Sequence, residues 1–317
     1  MNLIADWNGV DPRKAKTEIV RFNHRLAETG LFTDEALARL IDETPREEVT
    51  ICTMQPCPPA DVRWIAGNAK DLDGAALIEA AKRGRLWVSP RNAMTKHPTY
   101  RKVFDQLMGE FGKAAGMRIL SADASVLISS ADMGIFFHVD PAETMLWHIR
   151  GTKTLLVYPP REDIVTEQAL EAILLKETLS DLPWRPDMEK EAVAVTLKGG
   201  EAVSWPIHSP HRVLNGADLN VSMSVEFSTP RSMLTNGVFY TNGILRRRLG
   251  MNPQTRGTPG VLKPAYWAAA RAIKALAPPK TNVERAHVRM FDVDLSAPWC
   301  IRWRRGCEPS ADWNKAA

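Results

Sequence analysis

The run GIFFHVD (134–140) is followed three residues later by TMLWHIRG (144–151) and then, across Thr152, by KTLLVYPP (153–160). Each run is short, rich in β-branched and aromatic residues, and closed by Gly, Pro or Asp, which is how a strand that ends in a turn reads. Outward from this centre, SVLISSA (125–131) precedes it. AVAVTLKGG (192–200), EAVSWPI (201–207), HRVLNG (211–216) and NVSMSVEFS (220–228) follow. Strands at this spacing predict an all-β barrel or sandwich over residues 116–230. One segment breaks the pattern. TEQALEAILLKET (166–178) has helical character and leads into a loop through Pro183 and Pro186, so a helical insertion is expected at about 161–190.

Residues 1–115 read as mostly helical. Ile19, Phe22 and Leu26 recur at helical spacing before Gly30. Thr33 is placed to cap a helix carrying Leu37, Leu40 and Ile41 on one face, with Asp34 and Glu35 in its first turn. Leu72 to Ala81 is helical again, Leu86-Trp87-Val88 is a short strand, and Tyr100 to Phe111 carries an apolar stripe. Residues 231–317 form a basic extension. Pro264 opens its one clear helix, AYWAAARAIKAL, whose Tyr266, Trp267, Ile273 and Leu276 need an apolar surface to cover, and Pro278-Pro279 ends it.

The net charge of +4 hides an asymmetry. From Arg231 onward there are 15 Lys/Arg against 5 Asp/Glu, an excess of +10, which leaves the first 230 residues at −6. These cations are scattered over some eighty positions and form no dense stripe, so the extension is expected to pack on the barrel or make a homodimer, with nucleic acid a poor fit. No apolar run reaches the length of a membrane span, and the N-terminus lacks an export pattern. Cys52, Cys57, Cys300 and Cys307 form no CxxC pair, so they read as free thiols in a reducing cytosol.

The chemistry lies in His138-Val139-Asp140. On a strand, residues i and i+2 point to one face, so His138 and Asp140 can share a metal ion. A third ligand is available from a later strand as His208 or His211, in WPIHSPHRVLNG. Two imidazoles and one carboxylate on one face leave three positions open, the facial arrangement of non-haem Fe(II) oxygenases, whereas structural zinc closes its sites. Lys153 follows Asp140 by thirteen residues and opens the strand after the Gly151-Thr152 turn. From there it can point into the barrel, where a buried cation needs an anion. The distal carboxylate of 2-oxoglutarate is one. Trp147, His148 and Trp205 are further pocket candidates, weighed against an ordinary place in the core.

The stretch from Ser125 to Phe227 resembles the JmjC/cupin-like 2-oxoglutarate oxygenases, the asparaginyl hydroxylases among them in particular. The matching elements are His138/Asp140, then Gly151-Thr152-Lys153, then an apolar strand ending in Pro159-Pro160. An insertion follows, and then Gly200-Glu201 and an apolar strand ending in Pro206, with His211 five residues beyond. The resemblance selects His211 over His208 as the distal ligand. It implies a double-stranded β-helix, the cupin/JmjC jelly roll, with Fe(II) as cofactor and 2-oxoglutarate and O2 as co-substrates. It also implies hydroxylation of a substrate C–H bond. Two residues depart from the pattern. Thr144 stands where the asparaginyl hydroxylases have an Asn near the iron, and Glu226 where an Asn is often found in the last strand; both positions lie near the co-substrate in that family. The substrate stays open between a protein side chain and a small molecule. Two other readings remain: a cupin-like regulatory protein that binds metal without turnover, and a redox-inert metal-dependent cupin enzyme. Neither needs a buried Lys153.

Overall fold

The computed structural model describes residues 1–54, 64–276 and 288–308. Eight strands build its centre: β1 (Ser121–Ser129), β2 (Gly134–His138), β3 (Glu143–Arg150), β4 (Thr152–Val157), β5 (Val193–Lys198), β6 (Glu201–Ser204), β7 (His211–Asn215) and β8 (Asn220–Ser228). They pair antiparallel into two layers ordered β6-β3-β8-β1 and β5-β4-β7-β2. This is a double-stranded β-helix, and all eight strands fall where the short apolar runs predict them. Gly151 carries the turn between β3 and β4 with a φ of 84°, in the left-handed region open to glycine; a side chain there would strike the Leu219 carbonyl.

Each strand of the larger layer has two faces. Met145, Trp147, Val221, Met223, Val225, Val126 and Ile128 point outward into the main core. They meet four helices: α1 (Asp34–Glu43), α2 (Gly74–Arg83), the single turn α3 (Ala93–Lys96) and α4 (Pro98–Ala114). Thr33 caps α1 by accepting from the Ala36 amide at 3.2 Å, and Asp73 caps α2 from Ala76 at 2.8 Å. Leu37, Leu40, Ile41, Leu77, Phe104, Leu107 and Phe111 cover the sheet from these helices.

The helical reading of residues 19–26 does not hold. Val20–His24 is a strand, paired antiparallel with β6 (Phe22 opposite Ala202). Its buried positions, Val20, Phe22 and His24, alternate with the exposed Arg21 and the half-buried Asn23, and the open edge of β6 supplies the ladder that decides between the two periods. The N-terminal region thus holds five strands among its described residues as well as its helices, and these extend the larger layer at both edges. The proline-rich stretch 55–63, with Cys57, lies outside the described residues, as do Pro278 and Pro279. Cys300 and Cys307 are free thiols, and Cys52 is buried in a strand of the N-terminal region.

The insertion forms α5 (Glu167–Leu174), capped by Thr166 accepting from Ala169. After β8, Thr229 and Ser232 make a reciprocal cap and Pro230 sits in the first turn of α6 (Pro230–Leu249), a twenty-residue helix that the sequence reading left without a period. α7 (Lys263–Leu276) packs on it so closely that a side chain at Gly237 would strike the Trp267 backbone. Of the residues expected to need cover, Tyr266, Trp267 and Ile273 are half-buried, but Leu276 is 87% exposed at the end of the helix. Finally Phe291–Val293 joins Trp64–Asn68 in parallel and pairs with Ile301–Trp303, so the final described stretch returns to the N-terminal edge of the sheet.

Candidate metal centre

Strands β2 and β7 lie side by side in the smaller layer, and their register sets His138 directly opposite His211. The two rings stand 4.2 Å apart between centroids. Asp140 lies just past the end of β2, in a stretch held extended by the insertion: His138 bridges to Asp181, and the Val139 amide donates to the Ser180 carbonyl at 3.1 Å. One donor atom from each of His138, Asp140 and His211 lies within 4.8 Å of the others, and Asp140 Oδ2 is 3.5 Å from His211 Nε2.

Both imidazoles are oriented by their own backbone. His138 Nδ1 lies 2.8 Å from the Phe136 carbonyl, and His211 Nδ1 lies 3.2 Å from the Ser209 carbonyl. A carbonyl only accepts, so each Nδ1 carries a proton, which leaves Nε2 as the nitrogen available to a metal. Burial pushes the His211 imidazole down to about 4, with the neighbouring His138 acting the same way against the opposing pull of Asp140. The ring is therefore neutral, as a ligand must be. Two nitrogens and a carboxylate with fixed tautomers suit a borderline divalent metal such as iron.

The three residues open into a cavity of about 450 Å³ inside the barrel, lined also by Trp87, Ser125, Leu127, Leu146, Leu155, Trp205, Ser224 and Glu226. Strand alternation then places a second layer two residues further along each strand. Leu127 leads to Ser129, Leu146 to His148, Leu155 to Lys153, Val213 to Asn215 and Ser224 to Ser222. All five are polar and come from five different strands. His148 Nδ1 lies 2.9 Å from Ser222 Oγ, and Asn215 Nδ2 donates to Ser129 Oγ at 2.8 Å. Lys153 Nζ, His148 Nε2 and Asn215 Oδ1 are buried and have no hydrogen-bond partner among the described residues. Lys153 is 1% exposed, its ammonium 5.4 Å from the Trp87 ring centre, and burial pulls it down to about 7. His148 falls to about 3, through burial and then the charge of Lys153. These residues lie one layer beyond the cavity lining, and a buried cation among unpaired polar atoms there calls for an anionic partner.

The other sequence candidates separate clearly. Thr144 faces inward beside Glu226 on the adjacent strand, but it is buried with its hydroxyl turned 3.4 Å toward the Ala142 carbonyl and does not line the cavity. Trp205 lines the cavity with its ring 4.8 Å from that of His211. Trp147 points the other way, edge-on to Phe22 and Phe111 in the main core. His208 stands outside the triad and is engaged with Asn236 on α6. Glu226, read in the sequence as a departure, lines the cavity; desolvation by the surrounding protein, then Asp140 and Asp123, push its carboxyl up to about 7. His148, a pocket candidate in the sequence, belongs to this second layer; Asn236, Asn215, Ser129 and Ser222 were not singled out, although the period of two along each strand carries the signal for the last three.

No family model matches the chain, and no curated protein matches it in sequence. Among solved structures, Escherichia coli YcfD is similar at 17% identity over 89% of this chain and 71% of that one, with a TM-score of 0.49. The ribosomal oxygenase YcfD from Escherichia coli in complex with cobalt and 2-oxoglutarate is similar at 16% identity over 87% and 67%, with a TM-score of 0.47. An RmlC-like cupin from Shewanella frigidimarina aligns over 33% of this chain and 65% of its own, at 9% identity and a TM-score of 0.22.

Proposed function

We propose that this chain is an Fe(II)- and 2-oxoglutarate-dependent oxygenase that hydroxylates a protein side chain or a small molecule. His138, Asp140 and His211 would hold the iron, and Lys153 would receive the distal carboxylate of 2-oxoglutarate. Such a centre, when loaded, couples the conversion of 2-oxoglutarate and O2 to succinate and CO2 with insertion of the remaining oxygen atom into a substrate C–H bond. The chain's own part is to present two neutral imidazoles and a carboxylate from one side, leaving the other side to ligands. Lys153 and His148 would orient the co-substrate by charge and hydrogen bonding. Trp205, Leu146 and Leu155 would keep water from the reacting face.

The observation that carries this reading is Lys153: an ammonium 1% exposed, without a hydrogen-bond partner among the described residues, on the same barrel interior as a His-Asp-His cluster. Burying such a charge is costly unless a ligand anion completes it. A metal protein without turnover, or a redox-inert enzyme, has no use for it.

The test is anaerobic titration with Co(II) followed by 2-oxoglutarate, read by melting temperature and visible absorption, and then aerobic incubation with Fe(II). Sequential stabilisation by the metal and by 2-oxoglutarate, with succinate formed only in air, is the expected result. Metal binding with no response to 2-oxoglutarate would leave the chain a cupin of another kind.

A further inference from the structure

Helix α6 reaches the metal centre through one side chain. Asn236 Nδ2 donates to the Pro141 carbonyl at 2.7 Å, and its Oδ1 lies 2.8 Å from His208 Nε2. Because the amide nitrogen is spent on Pro141, Oδ1 must accept, so His208 presents Nε2–H. Pro141 directly follows Asp140, and His208 lies three residues before His211. The two hydrogen bonds therefore join the segments that deliver two of the three metal-site residues.

The surroundings make this a fixed point. His208 sits in a turn closed by the Ser209 amide on the Pro206 carbonyl, with a φ of 64° that a non-glycine residue adopts only when held there. Its ring stands edge-on to Phe239, which shares the inner face of α6 with Asn236, at 5.0 Å. Phe239 also packs in one cluster with Val139, the residue between His138 and Asp140. The helix itself is anchored from behind, where the buried Glu171 of α5 takes Arg246 and Arg247.

We propose that Asn236 is a positioning residue for the metal centre: its carboxamide fixes the spacing between the Asp140 segment and the His211 segment, and so makes helix α6 part of the site. This rests on the metal-centre reading above and goes beyond it in giving α6 and His208 a role that neither ligation nor co-substrate binding supplies.

The experiment uses the full chain and Co(II) alone, with affinity measured by calorimetry, the ligand-field bands by visible absorption, and the melting temperature of the metal-free protein. Asn236→Leu keeps the volume and removes both hydrogen bonds. Asn236→Asp keeps the acceptor toward His208 and removes the donor toward Pro141. Both are expected to fold with a metal-free melting temperature near that of the parent, to bind Co(II) about 10–100-fold more weakly, the usual worth of a partner behind a ligand, and to shift its bands. If Asn236→Leu does not fold, Asn236→Asp alone decides by the same criteria. Unchanged affinity and bands, or a loss of affinity that only tracks a fall in metal-free stability, would overturn the proposal. A parent protein that binds no Co(II), or a His211→Ala variant that still binds it with parental affinity, would instead bring down the metal centre and this proposal with it.

Discussion

His211 faces His138 across the β2–β7 ladder with ring centroids 4.2 Å apart, although 73 positions separate them in the chain. The site is thus set by strand register, and a slip of one residue would turn either histidine out of the barrel. His138→Ala, Asp140→Ala and His211→Ala should each lower Co(II) affinity beyond the 10–100-fold that an outer partner is worth. His208→Ala should stay within that range. Calorimetry on the four variants checks the ranking, and equal losses for His208 and His211 would mean that the distal position is misassigned.

Lys153 gives a prediction about pH. In the folded protein its ammonium titrates at about 7, against an ordinary 10.5. Between those values the unfolded chain holds the proton that the folded chain has released, so metal-free stability should rise as the pH climbs from about 7 toward 10. Below 7 both states are protonated and the penalty is present in full. Lys153→Met should flatten this slope and raise metal-free stability near neutrality, measured by denaturant melts across the pH range. The same variant should keep Co(II) but lose about 3 kcal/mol of 2-oxoglutarate affinity, as expected when one partner of a buried ion pair is removed. At pH 8, 2-oxoglutarate binding to the parent should take up a proton, visible as a buffer-dependent heat.

The eight strands and the His138-Val139-Asp140 motif were legible because both depend on period two, a property of consecutive residues. Lys153 was legible for the same reason, since the turn at Gly151-Thr152 fixes which way the next strand starts. Residues 19–26 were misread because Ile19, Phe22 and Leu26 satisfy a helical spacing, and only the unpaired edge of β6 settles the choice. Helix α6 was missed because it is buried between other elements. Phe239 packs beside Val139 and α5 while Tyr240 packs toward α7, so no single apolar stripe exists. Its Asn236, Thr241 and Asn242 are polar residues explained only by partners far away in sequence or in other elements. The choice of His211 over His208 likewise came from the family resemblance, and the residues alone left both open.

Glu171 should hold the most sensitive ion pair among the described residues. Its carboxylate is fully buried, yet it receives Arg246 at 3.1 Å, Arg247 at 3.2 Å and the Thr255 hydroxyl at 3.2 Å. Glu171→Ala would leave two guanidiniums without their shared partner. Such losses cost 3–5 kcal/mol when the stranded charge is buried. Because both arginines reach solvent, at 17% and 28% side-chain exposure, the expected cost here is about 3 kcal/mol. Denaturant unfolding measures it. If Asn236 acts as argued, the variant should also weaken Co(II) binding, because the helix that carries Asn236 loses its anchor.

The basic C-terminal segment should be required for folding, whatever else it does. Helix α6 buries Val238, Phe239 and Tyr240, and Phe291 from the final described stretch is fully buried in the main core. Phe291 lies so close over Gly67 that a side chain there would meet its ring. Large-to-small substitutions in a packed core set the scale, so Phe291→Ala alone should cost about 3–5 kcal/mol. Ending the chain after Pro230 removes this contact, the whole of α6 and the Asn236 clip together. The truncated protein is expected to be insoluble, or to be soluble without a cooperative melt. The cations fit this structural role: Arg246 and Arg247 meet Glu171, Arg256 meets Glu162, Arg302 meets Asp294 and Arg304 meets Asp292. A nucleic-acid arm would instead leave them free in one stripe and bind with steep salt dependence. A truncated protein that melts cooperatively, keeps the parent's assembly state by light scattering and still turns over 2-oxoglutarate would make the segment a detachable recognition arm.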